Sequence, residues 1–456
     1  MIKPFLTLTL LVAAAMGSIH LLNGKPASSP PVKPNIIIIL SDDLGYGDIS
    51  SFGGKVLPTP NIDRLAESGM KITRYYSAAP ICSPSRAGIL TGMYPGRWNF
   101  ATYLDNKKHN REAEQTDFLD TAAPTMARMF KNAGYATGHF GKWHMGGGRD
   151  VKDAPGFEQY GFDAHASTYE SPDPDPLLTA TDWIWSDKDS IKRWNRTQYF
   201  VDKTLAFMQQ HKGQPCFINL WPDDVHTPWV PQPDDEAPSG PQSEVAFKNV
   251  LKEYDVQIGR LAEGLKRIGE DKNTIIIFTS DNGPLPSFRG SRAADLRGTK
   301  LSLYEGGIRM PFIVSWPGHI PAGRSDETSE VHATDLLPSL LHIAGIKVPA
   351  DYKGDGKDRS GVFLGKPSER GKDMYWEYGR NDIAYKYPGA KDKSPSLAMR
   401  SGKWKLLMNA DGSDVQLYNM DKDRNETTNV AASEVAVAAG LKSKLTVWWR
   451  GLPRLK

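Results

Sequence analysis

The chain has 456 residues, about three times a typical ~150-residue domain, enough for one large domain with an appendage or for two to three domains. Lys and Arg number 56 against 53 Asp and Glu, and this near balance excludes a nucleic-acid or polyacid binder working through bulk charge. Hydrophobic (39%) and charged (24%) fractions near globular averages exclude disorder, and two cysteines, Cys82 and Cys216, exclude a disulfide scaffold or a thiolate zinc cluster.

Lys3, the apolar residues 5–16 and the small, polar and Pro/Ser-rich text after them have the layout of a secretory signal (1–24) and a linker (25–33). The protein is therefore expected to be exported, periplasmic or secreted, with no stable membrane insertion after cleavage. Residues 35–40 form an uninterrupted β-branched run, the pattern of a strand buried on both faces of a parallel sheet. Helices are predicted over 62–69 and 124–132, the second with Pro124 near its start and Gly134 as its stop, followed by a strand over 135–140. Further units are the helix 197–211 with strand 216–221, the long helix 243–268 with strand 274–279, and strand 308–316 before helix 334–344. Repeated βα units predict a layered α/β/α core with a mostly parallel sheet over 34–365.

Residues 146–195 break this rhythm with Asp/Pro-rich and Trp-rich text, as a long functional loop does. Beyond 365 short strands are predicted at 374–378, 396–400, 403–408 and 415–418, with a helix over 433–449. Residues 366–456 thus read as a small C-terminal α+β subdomain with an antiparallel sheet.

Two places share one design. The strand 35–40 runs into Asp42-Asp43, and the strand 274–279 runs into Asp281-Asn282. In an open α/β sheet the crevice outside the carboxyl ends of the strands collects ligands, so these four side chains can converge there. Three carboxylates and an amide suit a hard cation, calcium first and magnesium second. Separately, Cys82 precedes Pro84 and an apolar helical stretch, with Arg86 four residues on, so a helix start and a guanidinium would favour an anion on the Cys side chain, although a lone cysteine in an exported protein more often reads as a core residue or half of a disulfide. Cys216 sits in an apolar strand and reads as structural.

Cys82-Ser83-Pro84-Ser85-Arg86 resembles the sulfatase signature C-x-P-x-R, followed by Leu90-Thr91-Gly92, and Gly141-Lys142-Trp143-His144 looks like that family's second signature. The resemblance runs in family order over nearly the whole chain and implies an alkaline-phosphatase-like core. It further implies that a maturation enzyme oxidises Cys82 to Cα-formylglycine, an aldehyde that hydrates to a geminal diol. By the same resemblance Asp42, Asp43, Asp281, Asn282 and the residue at 82 would hold calcium. Arg86 and Lys142 would hold the diol, His144 would take the proton that triggers sulfate release, and His226 with Lys300 would assist the leaving oxygen and bind sulfate. With a divalent cation the three Asp leave a charge of about −1, and Arg86, Lys142 and Lys300 raise it to about +2, which suits a sulfate ester.

The implied substrate is a sulfated carbohydrate, a glycosaminoglycan or algal polysaccharide fragment. The same residues would serve a broad arylsulfatase or a phosphonate monoester or phosphodiester hydrolase of the superfamily, and with Cys82 unmodified a silent sulfated-glycan binding protein. For the hydroxyl that contacts the diol in some members, Ser167 and Thr168 are the candidates. His109, Arg149, His165 and Arg289 lie in loops that could line the pocket, and solvated surface is the preferred reading for each. Trp183, Trp185 and Trp194 suit either stacking on sugar faces or packing of the insertion on itself.

Overall fold

The computed structural model describes residues 1, 33–235, 242–384 and 393–455. The expected signal and linker, apart from Met1 and Lys33, lie outside the described residues. Nine strands form the main sheet: β1 (Asn35–Ser41), β2 (Met70–Tyr76), β3 (Ala136–Gly141), β4 (Ala164–Ser167), β5 (Cys216–Trp221), β6 (Thr274–Ser280), β7 (Arg309–Met310), β8 (Phe312–Ser315) and β9 (Arg324–His332). In space they run β4, β3, β5, β1, β6, β8, β2, with β7 and β9 also paired to β2. All pairings are parallel except those of β7 and β8, which run antiparallel to their neighbours.

The branched runs explain the layering. In β1, Ile36, Ile38 and Leu40 enter one core cluster and Ile37 and Ile39 the other, all fully buried. Strand β6 divides in the same way, Ile275 and Ile277 against Ile276 and Phe278. Side chains alternating across a strand need apolar cover on both faces, and each buried aliphatic contributes about 1.5–3 kcal/mol relative to exposure. One face is covered by helices Cys82–Thr91, Met126–Asn132 and Leu336–Ile343, the other by Pro60–Glu67, Arg196–Gln210 and Glu244–Ile268.

The strand expected over 308–316 is broken at Pro311, which has no N–H to give a ladder. Three strands were not expected: β2, β9, and β4 inside the interrupting stretch 146–195. Near the C-terminus β10 (Met374–Glu377), β11 (Leu397–Ser401), β12 (Trp404–Met408) and β13 (Gln416–Asn419) make an antiparallel sheet in chain order. Helix Val435–Arg450 packs on one of its faces through Ala438, Leu441 and Leu445. The other face, through Trp376, Leu407 and Tyr418, packs against Tyr76 at the end of β2, and against Ile81 and Cys82 at the start of the following helix. Among the described residues no helix is long and apolar enough to cross a membrane.

Candidate active site

Parallel pairing brings the carboxyl ends of β1, β3, β5 and β6 to one edge. β1 and β6 pair in register from Asn35 opposite Thr274 to Ser41 opposite Ser280, so Asp42-Asp43 and Asp281-Asn282 leave the sheet side by side. The backbone N–H of Asp43 donates to Asp281 Oδ1 at 3.2 Å, and Asn282 Nδ2 donates to Asp43 Oδ1 at 2.7 Å. β3 ends opposite Trp221 of β5, and Lys142 N–H donates to the Trp221 carbonyl at 2.7 Å. This close approach demands glycine at 141, where φ is +128° and a Cβ would sit 1.9 Å from the Trp221 oxygen.

Cys82 opens the helix Cys82–Thr91, at the terminus whose partial positive charge favours an anion. Its Sγ lies 3.5 Å from Asp42 Oδ1 and 4.0 Å from Asp43 Oδ1. Arg86, one turn on and fully buried, donates to Asp281 Oδ2 from Nε (3.0 Å) and Nη2 (2.8 Å), and from Nη1 to the Lys142 carbonyl (2.8 Å). Lys142 Nζ donates to Asp42 Oδ2 and Lys300 Nζ to Asp43 Oδ2, each at 2.7 Å, so two ammonium groups bracket the aspartates. His226 Nε2 stands 3.4 Å from Lys300 Nζ and 3.5 Å from Asp43 Oδ2. His144 Nε2 meets the Leu104 carbonyl at 3.1 Å, and its Nδ1 is buried without a partner. Asp43 and His144 both hold positive φ, 59° and 54°, uncommon for such side chains and concentrated at functional sites.

The electrostatics follow from burial set against close charge. Burial pushes the Cys82 thiol well up, against the pull of Lys142 and Lys300, and keeps it protonated. Burial raises Asp42 too, but the cations around it, led by Lys142, hold it well below the usual carboxylate range. Asp281 goes the other way: burial and then the Asp42 charge raise it to about 7 despite Arg86. Three carboxylates thus meet three cations, Arg86, Lys142 and Lys300, in one buried cluster.

That centre suits a divalent cation. Asp42, Asp43, Cys82 and His226 each offer a ligand atom, all within 4.8 Å of one another. The Oδ1 of Asn282 is buried beside them with no hydrogen-bond partner, a donor atom waiting for an acceptor of electron pairs. This group includes His226, while Asp281 Oδ2 lies 2.8 Å from Arg86 Nη2.

The site opens into a cavity of about 280 Å³ with Asp42, Cys82, Lys142, His144, His226 and Lys300 in its lining. Thr168 lines it as well, whereas Ser167 is buried without a partner for its hydroxyl and Arg289 is exposed elsewhere. His109 stacks on Tyr103, and His165 pairs with Asp173 at 3.0 Å. Arg149, read from the sequence as solvated surface, is instead a cavity residue tied to Asp105 (2.8 Å) and Glu170 (2.9 Å). Sequence reasoning also missed Arg193 and Arg196, which hold the loop carrying His226 through Asp224 (2.7 Å) and Asp223 (2.8 Å). Only the unusual density of Arg and Asp in 187–196 and 223–224 hinted at that network. Cys216 lies buried in β5 as a structural residue.

The sulfatase family profile matches residues 34–346, and that of the N-sulphoglucosamine sulphohydrolase C-terminal region matches 299–448. An N-acetylgalactosamine-6-O-sulfatase of Bacteroides thetaiotaomicron is 30% identical across 91% of this chain and 92% of its own length. The N-acetylgalactosamine-6-sulfatase of Mus musculus is 33% identical across 76% of this chain and 68% of its own. The crystal structure of Ps i-CgsB in complex with k-i-k-neocarrahexaose superposes with a TM-score of 0.71 at 27% identity, over 91% of this chain and 93% of that one. Sulfatases generally work with a formylglycine and a divalent metal. A profile spanning most of the chain, over a sheet edge arranged around a cysteine at a helix start, makes this protein a member of the sulfatase family and a sulfuric ester hydrolase.

Proposed function

We propose that the protein is an exported hydrolase of carbohydrate O-sulfate esters, working through formylglycine at position 82 and calcium. The observation that carries the reading is the meeting of the Cys82 side chain with Asp42, Asp43 and two lysine ammonium groups on one cavity floor. A sulfated sugar is favoured by the relative that hydrolyses N-acetylgalactosamine 6-O-sulfate by name and aligns with nearly the whole chain.

The chemistry explains why neither a thiol nor a simple hydroxyl would serve. A buried, protonated thiol is a poor nucleophile. A sulfated serine would need a second hydrolysis as hard as the first, whereas a geminal diol keeps a second hydroxyl that can expel sulfate. The formylglycine hydrate would supply an ionised hydroxyl as nucleophile toward sulfur, and His226 with Lys300 would protonate the sugar oxygen as its bond to sulfur breaks. His144 would take the proton of the hydrate's second hydroxyl, which would let sulfate leave and restore the aldehyde. Arg86 and Lys142 keep the carboxylates and the diol in place, and their charge with that of Lys300 favours the sulfate group. A calcium ion held by Asp42, Asp43, Asp281 and Asn282 would supply Lewis acidity that lowers the diol's pKa and offsets charge on the sulfuryl oxygens. A separate maturation enzyme would convert Cys82.

The test measures sulfate release from defined sugar sulfates by matured enzyme and by Cys82→Ala, alongside matched phosphate esters. Wild type should release sulfate and carry CHO in place of CH2SH at residue 82, and Cys82→Ala should fall to background with an unchanged circular dichroism spectrum. A preference for phosphate by orders of magnitude would mark a phosphonate or phosphodiester hydrolase instead. An unmodified thiol with no turnover would mark a binding protein.

A further inference from the structure

We propose that Trp183 is a stacking platform for the sugar next to the sulfated one, and that this neighbouring ring is an uncharged pyranose. The inference rests on the carbohydrate sulfatase reading and extends it to a second subsite.

The cavity has two kinds of wall. Its floor comes from the strand ends, whereas Arg149, Thr168, Tyr169, Glu170, Ile184 and Arg193 all come from the stretch that interrupts the βα rhythm. Trp183 belongs to this stretch, beside the cavity residue Ile184, and it is the only exposed tryptophan among the described residues, at 54%. It is nevertheless held. Its ring lies 6.5 Å from that of Tyr169, and the Arg149 guanidinium sits 5.5 Å from its centroid. Both partners line the cavity, so the indole stands next to its mouth. Arg149 is fixed in turn by Asp105 at 2.8 Å and Glu170 at 2.9 Å, and its backbone N–H donates to the Tyr169 hydroxyl at 2.8 Å.

An indole with two restricted torsions, already braced and still half open to water, offers apolar area at low ordering cost. The C–H face of a pyranose has the complementary shape and polarity. None of Trp183, Trp185 and Trp194 is itself in the cavity lining, but Trp185 and Trp194 are partly buried whereas Trp183 is exposed and braced by two lining residues, Tyr169 and Arg149, so the platform falls to Trp183.

Charge selects which ring can lie there. Every cation in the lining has a carboxylate: Lys142 with Asp42, Lys300 with Asp43, Arg193 with Asp224, and Arg149 with Asp105 and Glu170. Arg149 is already shared between two carboxylates, Asp105 and Glu170. A uronate or second sulfate on the neighbouring ring would be desolvated there with no free counter-ion, a cost that a neutral ring escapes.

The experiment compares matured wild type, Trp183→Ala and Trp183→Phe on three substrates: a monosaccharide sulfate, and the same sulfated ring linked to a neutral hexose or to a uronic acid. Trp183→Ala should lower the ratio of kcat/KM for the hexose-linked disaccharide over the monosaccharide about tenfold, mainly through KM, because loss of one aromatic contact is of that order. Trp183→Phe should restore most of the ratio, and wild type should favour the hexose-linked over the uronate-linked disaccharide. A ratio unchanged in Trp183→Ala, or a preference for the uronate-linked substrate, overturns the proposal. No sulfate release by wild type from any of the three sugars would remove the carbohydrate reading, and this subsite with it.

Discussion

His226 illustrates how a side chain's task is set by its neighbours. Burial lowers its pKa against the opposing pull of Asp43, so the free imidazole is held neutral, while the Lys300 ammonium 3.4 Å away is kept charged by Asp43 despite burial. The pair therefore carries one proton, held on the Lys300 ammonium beside the neutral imidazole. Help with protonation matters most when the leaving alcohol is basic. His226→Ala should cost about 10²–10³ in kcat/KM for a sugar sulfate and less than about tenfold for 4-nitrophenyl sulfate. Equal losses on the two esters would remove the leaving-group role. His226 was legible because it follows a strand end in a motif. Arg193 was not, because its importance lies in Asp223 and Asp224, reached only after the intervening helix Arg196–Gln210 and strand β5 have folded back.

Between elements, the C-terminal sheet is fastened to the core by a buried cluster. Lys405 of β12 meets Glu305 at 2.9 Å and Glu426 at 2.8 Å, all three nearly or fully buried. Two carboxylates and one ammonium cannot all stay charged cheaply in a dry interface. Burial raises Glu426 to about 7 even though Lys405 pulls it down, and burial is outweighed at Glu305, which Lys405 draws to about 2. From the ordinary glutamate value of 4.5 up to about 7, the folded protein binds a proton at Glu426 that the unfolded chain has lost. Stability from this group is thus fully present below that ordinary value and falls as pH rises toward 7. The Glu305 contribution changes only below the same value, outside this window. Glu426→Gln should gain on wild type by about 2 kcal/mol between pH 5 and pH 8, read from denaturant midpoints. A gap that does not move with pH would sink the shared-proton account.

For the protein as a unit, the meeting of strand ends is also a liability, because three aspartates converge before any metal binds. A ligand that binds only the folded state stabilises it by about 2.7 kcal/mol at one hundred times its Kd. Chelator should therefore lower Tm by about 2–4 °C in a domain this large, and calcium should restore both Tm and sulfate release. Recovery with zinc and not with calcium would overturn the metal assignment. Arg292 makes this coupling two-way: its guanidinium pairs with Asp48 at 2.9 Å and donates to the Asp43 carbonyl at 2.7 Å, tying the metal-side turn to the chain nearly 250 residues on.

Much of this was written in the linear text. The runs of isoleucine in β1 and β6 require cover on both faces, so the layered core follows from composition and alternation alone. Asp42-Asp43, Cys82, Lys142 and Asp281-Asn282 stand at strand or helix ends, with Arg86 one turn into its helix and His144 shortly past β3, and such positions can be counted off along the chain. Strands β2 and β9 escaped because their text is mixed: Arg74 within β2, and Arg-Ser-Asp-Glu-Thr-Ser-Glu opening β9, carry charge onto pairings made near the sheet's border. Arg149 reads as an ordinary loop arginine until Asp105 and Glu170 are brought to it from either side in sequence. Local pattern determines what a segment can bury. Which charges meet is decided by contacts between segments separated in sequence, and those exist only once the sheet has closed its order.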